Sequence, residues 1–449
     1  SGSSAVGLDG TGTVTVTGMN STFNTGGLSV GQFSGTGTLT IADGGMVSIN
    51  TSARFGGALP GFPNGRGTLT VTGTGSTMTV GTDLTLGGAG TASTGTATIA
   101  NGGVVNVAGK TVIANAAGST GTLNIGSAAG DPPVAPGTLS SSSLAFGPGD
   151  GRLTFNHTDL SKNFAFDPAI SGNGMISHLA GYTTLTGDSS GFTGTTTIDG
   201  GTLAIQNKLG GDVSVMSGGT LGGSGILTGD LLVSSGATVA PGMSIGTLTV
   251  NGNYEQQSTG TLDIEIAPDG SANDLLAVGG TARLAGTLTA QSENGSLLTP
   301  AAAGTATSPK VYTILTASGG VSGQFDTDPA PLGAFTFDTT YNADNVQLGV
   351  IYAGFTPIQT GAALTPPGTT PVTIPGTGTT NQVSKANALD KAPVVNTGFS
   401  SGNTDFDKIL LEIANETPDQ LAATFNAIIA EPYAAFMTVL LEQNDFYAE

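Results

Sequence analysis

Along the first 125 residues hydrophobic and polar positions alternate in short bursts, and the bursts repeat. Five segments share one pattern: GTGTVTV (Gly10 to Val16), GTGTLTI (Gly35 to Ile41), GRGTLTV (Gly65 to Val71), STGTATI (Ser93 to Ile99) and STGTLNI (Ser119 to Ile125). Their third residues, Gly12, Gly37, Gly67, Gly95 and Gly121, are spaced by 25, 30, 28 and 26 residues. A period of this size marks a solenoid, and strict alternation marks strands with one buried face. Val14, Val16, Leu39, Ile41, Leu69, Val71, Leu123 and Ile125 are expected to face inward. The intervening Thr13, Thr15, Thr38, Thr40, Thr68, Thr70 and Thr122 then face solvent, where threonine keeps its β propensity while staying wettable. Between the anchors, Leu28 to Val30, Val47 to Ile49, Leu84 to Leu86 and Val104 to Val107 predict further short strands, separated by glycine-rich turns.

Two or three strands and as many turns per repeat suit the rung of a triangular or L-shaped coil. The predicted fold is therefore all-β, a right-handed parallel β-helix. At roughly 20–28 residues per rung and about 4.8 Å between rungs, it would be a rod of about 13–17 rungs, on the order of 60–80 Å long. Over Asp131 to Asp167 the alternation weakens, which predicts a loop or an irregular rung, and it resumes at Thr183 to Leu185 to run through Gly354. Residues 1–354 are thus expected to form the solenoid. Residues 355–403, rich in Pro, Thr and Gly and without periodicity, predict an extended linker.

In residues 404–449 the period changes to 3.6. Phe406, Ile409, Leu410 and Ile413 recur at helical spacing, and Thr417-Pro418-Asp419-Gln420 combines a capping box with proline at the first helical position. A second helix with Leu421, Phe425 and Ile428 follows, then a third from Glu431-Pro432 carrying Phe436, Val439, Leu440 and Phe446. The prediction is a short helical tail.

Composition narrows the function. Glycine (74) and proline (21) make up about a fifth of the 449 residues, below the share at which an aperiodic chain reads as disordered. Only 9% of residues are charged, and 31 acidic against 11 basic residues leave a net charge of −20. That field repels phosphate, so no nucleic-acid partner is expected. The absence of cysteine fits a chain exported through an oxidising compartment. No basic-plus-apolar segment opens the chain at Ser1 and no run approaches the about 20 apolar residues that span a bilayer, so the chain is expected to be soluble.

From Arg152 to Gly349 the chain resembles the passenger domains of bacterial autotransporters, the type V secretion family. The likeness is carried by Leu153 to Ile205 and by Gly218 to Ile266, the latter similar to a passenger-associated transport repeat. The segments DLLAVGGTARLAGTLTA and KVYTILTASGGVSGQF resemble the C-terminal stem of such passengers. Thr417 to Glu449 resembles the stretch that precedes the membrane barrel. These matches cover about half of the chain. The resemblance implies a passenger threaded through its own barrel, exposed outside the cell, with residues 200–354 as a stem that folds first and assists secretion. It also implies an adhesin or self-associating protein whose partners are a host surface, matrix or glycan, copies of itself, and its own outer-membrane barrel. A secretion scaffold for an N-terminal effector, or a hydrolase using a groove on the β-helix, are the other readings.

Several residue groups invite a chemical reading. Gly187-Asp188-Ser189-Ser190-Gly191 looks like a protease nucleophile loop, but no histidine lies in a protease motif, and it reads as a turn between rungs. His157 and His178, 21 residues apart, could flank a metal with Asp159 or Asp150; without a Cys/His cluster they read as surface or stacked histidines. Asp43, Asp150, Asp167, Asp188, Asp199, Asp230 and Asp269 lack the regular spacing of a calcium-binding β-roll and read as turn residues. Glu255, Asp263 and Glu265 could form a carboxylate pair for glycoside cleavage, but alternation places Asp263 and Glu265 toward solvent, opposite Leu262, Ile264 and Ile266. Arg54, Phe55, Phe62 and Arg66 frame the distinctive segment ALPGFPNGRG, read as a rung-to-rung loop or a binding loop. The expectation is no enzyme, with no catalytic residue, cofactor or metal, and with the binding residues unassigned.

Overall fold

The computed structural model describes residues 2–57, 64–88 and 92–353, with the backbone of two further short strands, Thr356–Pro357 and Leu364–Thr365. Parallel strands dominate the described residues, whose helical content is two 3-10 turns at Glu293–Gly295 and Pro300–Ala302. Thr356–Pro357 and Leu364–Thr365, paired antiparallel, fall in the expected linker; the rest of the linker and the expected helical tail lie outside the described residues.

Each repeat of the N-terminal part contributes three strands, and each strand pairs in parallel with its equivalent one repeat later. The anchor strands Thr11–Thr17, Thr36–Ala42, Arg66–Thr72, Thr94–Ala100 and Thr120–Gly126 stack in strict register. They open a thirteen-stranded sheet, the spine, that continues to Val321–Gly323. At about 4.8 Å per step the spine is on the order of 60 Å long. A seven-stranded sheet from Ser4–Val6 to Ala169–Ser171 and a five-stranded sheet from Thr22–Thr25 to Thr138–Ser141 form the other two walls. Period-two alternation turns one face of every strand inward, where Val16, Leu39, Ile41, Leu69, Val71, Leu123 and Ile125 are buried. Each such aliphatic side chain stabilises the stack by about 1.5–3 kcal/mol.

The glycine of the repeated motif has a steric cause. Gly12, Gly37, Gly67, Gly95 and Gly121 are aligned rung on rung. A Cβ on Gly37 would fall 2.4 Å from the backbone nitrogen of Gly31 and 2.4 Å from the carbonyl of Val6. Gly31 itself has φ of +68°, the left-handed conformation that lets the chain turn the corner into the spine. A glycine four residues before the motif thus makes the corner, and the motif's own glycine lies where that corner is covered.

Midway, two of the three walls are exchanged. The five-stranded sheet ends at Thr138–Ser141, and a new seven-stranded sheet begins at Ala165–Phe166. The other wall ends at Ala169–Ser171; isolated parallel bridges Gly172 to Phe192 and Ser189 to Leu209 carry it into a further sheet that starts at Lys208–Leu209. The weak pattern of Asp131 to Asp167 marks this junction, but parallel pairing continues through it: Thr138–Ser141, Ser143–Phe146, Asp150–Asn156 and Ala165–Phe166 each pair with a strand of a neighbouring rung. Alternation was hard to see because Leu153, Thr154, Phe155 and Asn156 are all buried, the outward ones included.

The parallel stack does not persist to Gly354. Lys310–Ala317 pairs in parallel with Leu275–Val278 on one side, but antiparallel with Asn345–Tyr352 on the other, and Asn345–Tyr352 forms a hairpin with Phe335–Tyr341. A hairpin closes the stack because its outer strand turns back instead of starting another rung, and Phe335 is buried beneath it.

Candidate functional site

The most regular surface is the outer face of the spine. Thr13, Thr38, Thr68, Thr96 and Thr122 stand in one register column, and Thr15, Thr40, Thr70 and Thr98 in a second. Columns separated by two residues lie about 6.6 Å apart, and rungs about 4.8 Å. The result is an uncharged lattice of hydroxyl and methyl groups on a stiff support. Beyond Thr122 the first column changes to Arg152, Met175, Thr195 and Asp212. Such a face offers broad contact area and no reactive group.

The two histidines occupy the wall exchange. They fall on neighbouring rungs as expected, but neither is on the surface: both are fully buried. His157 Nε2 and His178 Nε2 lie 2.8 and 3.1 Å from the same atom, the Thr183 hydroxyl. Their outer nitrogens settle the tautomers. The Asp159 N–H donates to His157 Nδ1 at 3.3 Å, so the proton of His157 is on Nε2 and is donated to Thr183. Thr183 then donates to His178 Nε2, and His178 Nδ1 donates to the Gly200 carbonyl at 2.8 Å. A directed chain of hydrogen bonds with both rings neutral results. Burial lowers both pKa values to about 4; for His157 the nearby Asp159 carboxylate partly opposes this, and for His178 the Gly200 carbonyl does. A neutral ring without a free lone pair is a poor metal ligand, and among the described residues no group of three His, Asp or Glu side chains converges on one point.

Ser189 does not behave as a nucleophile either. It is buried, its Oγ accepts the Ile170 N–H at 2.9 Å, and its backbone N–H donates to Lys208 at 2.8 Å. Asp188 accepts the Ser190 N–H, and the Ser190 hydroxyl and backbone hold its carboxyl below the usual range. The segment is a bridge between rungs. The other turn aspartates act locally: Asp43 accepts from Thr17, Asp167 from Thr186, Asp199 from Thr197, Asp230 from Asn253 and Asp269 from Ser271.

Asp263 and Glu265 face outward on Thr261–Ile266, and Glu255 lies on a different wall, 2.8 Å from Arg283. The structure does not bring the three together. It instead adds Asp274, which sequence reasoning missed, to a shallow cleft of about 270 Å³ with Asp263 and Glu265. Burial raises the Asp274 carboxyl to about 7, with smaller contributions from Glu265 and Asp263. Both of its oxygens are already used, by the N–H groups of Gly246 and Glu265 at 2.8 Å each, and Asp263 is held by Thr289 and Gln291. Asp274 braces two loops, each of its oxygens accepting a backbone N–H. Its signal in the sequence was nil, because both donors are backbone groups.

Of the group around ALPGFPNGRG, Phe55 is a core residue rather than a loop residue, fully buried on Ala53–Phe55. Arg54 and Arg66 are exposed on strands of two adjacent walls, and Phe62 lies outside the described residues.

No protein-family model matches the chain. Among curated proteins it is similar to the Adhesin BmaC autotransporter of Brucella suis biovar 1 (strain 1330), 35% identical over 367 aligned residues covering 64% of this chain and 10% of that protein. It is also similar to two Escherichia coli (strain K12) proteins: the uncharacterized lipoprotein YdeK, 34% identical over 133 residues (28% of this chain, 10% of that one), and the uncharacterized protein YuaQ, 33% identical over 191 residues (41% and 12%). The chain spans about a tenth of the length of these relatives.

Proposed function

We propose that the chain is part of an autotransporter passenger that acts as an adhesin or self-association protein at the bacterial surface or outside the cell. The observation that carries this reading is the likeness to an autotransporter adhesin over 64% of the chain. A coil of parallel strands whose outer face carries two columns of threonine over its first five rungs supports it, because contact over many rungs needs no catalytic group. Partners of this reading are host surface, matrix or glycan, other copies of the chain, and the protein's own outer-membrane barrel. Within it, residues 200–354 serve as the stem, a right-handed β-helix whose early folding biases export; residues 355–403 are the linker, and 404–449 the helical element before the barrel. The segment resembling a passenger-associated transport repeat, Gly218 to Ile266, belongs to this stem.

The test is to mix cells displaying the chain with cells lacking it and to measure settling and adhesion to a panel of matrix proteins and glycans. Adhesion or settling that falls when Thr38, Thr68 and Thr96 are replaced by lysine supports the reading and assigns it to the spine face. Silence in both assays sinks it in favour of a secretion scaffold.

A further inference from the structure

Where the threonine column of the spine breaks, the surface opens into a cleft of about 610 Å³. It crosses the spine strands Thr120–Gly126, Asp150–Asn156, Met175–Ala180 and Thr195–Ile198, and the turns at residues 147–149 and 173–174 contribute to its lining. Its volume is that of a small-molecule site. The floor is glycine backbone held by the core: a Cβ on Gly151 or on Gly174 would fall 2.4 Å from the Phe146 ring. Stacked strands on both sides keep the lining rigid, which lowers the entropy lost on binding.

Three side chains in the lining are free to take a ligand. Asp150 and Arg152, two residues apart on one face of their strand, and Asn173, in the next turn, make no side-chain hydrogen bond or ion pair to any described residue. Elsewhere most turn aspartates are bonded to their own rung or the next. A carboxylate, a guanidinium and an amide are the three planar groups that can engage two adjacent hydroxyls at once, as acceptors, donors or both. Thr120, Thr122 and Thr195 add hydroxyls, and Met175 supplies an apolar strip. Asp150 and Arg152 balance in charge, and the net charge of −20 on the whole chain disfavours a polyanion.

We propose that this cleft binds a neutral, hydroxyl-rich sugar unit of a surface glycan through Asp150, Arg152 and Asn173. The inference rests on the adhesin reading and specifies its ligand class. An open cleft without an aromatic platform binds one sugar weakly, and many copies on a cell surface raise the avidity.

The experiment presents the full chain, tetramerised on streptavidin, to an array of neutral hexose- and N-acetylhexosamine-terminated oligosaccharides beside sialylated and sulfated ones. Neutral glycans should be captured, and Asp150→Ala, Arg152→Ala and Asn173→Ala should each lower capture roughly tenfold with unchanged thermal unfolding. Capture of sialylated or sulfated glycans alone, capture of none, or equal capture by the variants overturns the proposal. Beads carrying each protein are also tested on host cells. If wild type and variants adhere equally, the cleft is wrong and the adhesin reading stands; if neutral glycans are captured but nothing adheres or settles, the adhesin reading fails and the cleft stands.

Discussion

Acid should act on this protein first through its buried histidines. His178 is neutral in the folded chain, with its pKa lowered from 6.5 to about 4 by burial. A folded-state pKa below the unfolded one means that the unfolded chain takes up the proton first. Its stabilising contribution is complete above pH 6.5 and is lost as pH falls toward 4. A shift of this size amounts to about 3 kcal/mol once both states are protonated, of which roughly 2 kcal/mol is lost between pH 7 and pH 4.5. His157 adds in the same direction. Asp274 opposes both: its folded pKa is raised, so it stabilises increasingly as pH falls from about 7 to 3.8. A wild-type melt alone would mix these effects. The clean assay is proton NMR, because the chain holds two histidines and therefore two sets of ring signals. Both should stay unshifted through pH 6.5 and move only near pH 4. The variant His178→Gln keeps a donor toward Gly200 and an acceptor toward Thr183. Its loss of stability between pH 7 and 4.5, followed by hydrogen exchange around Thr183, should be smaller than that of wild type by roughly 2 kcal/mol. Ring signals titrating near 6.5, or equal acid sensitivity in the variant, would refute the hydrogen-bond chain as described.

Three further substitutions probe the same half of the molecule and the stem. Phe155 is fully buried and packs edge-on against Phe166 at a ring separation of 5.2 Å, so Phe155→Ala should cost about 3–5 kcal/mol. Leu160→Ala, at a residue 73% exposed, should stay within about 0.5 kcal/mol in the same denaturant melts, and equal losses would contradict the assigned core. Because the raised pKa of Asp274 gives a contribution that grows as pH falls from about 7 to 3.8 and so offsets part of the histidine loss, Asp274→Asn should steepen the loss of stability on acidification across that window. An unchanged slope in that window would show that the carboxyl does not titrate there.

Repetition made the walls of the coil legible from residues alone. The motif of Gly35 to Ile41 encodes its own strand, its inward pair Leu39 and Ile41, and a glycine that only a crowded corner requires. Such features are local, with period two along the strand, and the repeat aligns them across rungs, so the chain order already determined which residues face in and which stack. The rest depended on distance. The exchange of walls after Thr138–Ser141 and the closing hairpin Phe335–Tyr341 with Asn345–Tyr352 are choices of pairing partner, and alternation is the same for parallel and antiparallel neighbours. The histidines could be seen, but their shared partner Thr183 lies 26 residues from one and 5 from the other, and only stacking of rungs brings a hydroxyl between two rings. Asp274 was invisible because it is held by backbone groups, which no side-chain pattern reports. Asp150, Arg152 and Asn173 come from a strand and the next turn, and they become one cleft only when the coil closes around Phe146. Sequence alone determined the strand and its faces because these are set by neighbours along the chain; tertiary structure decided sheet exchange, buried polar pairing and the cleft because these are set by residues a full turn of the coil away.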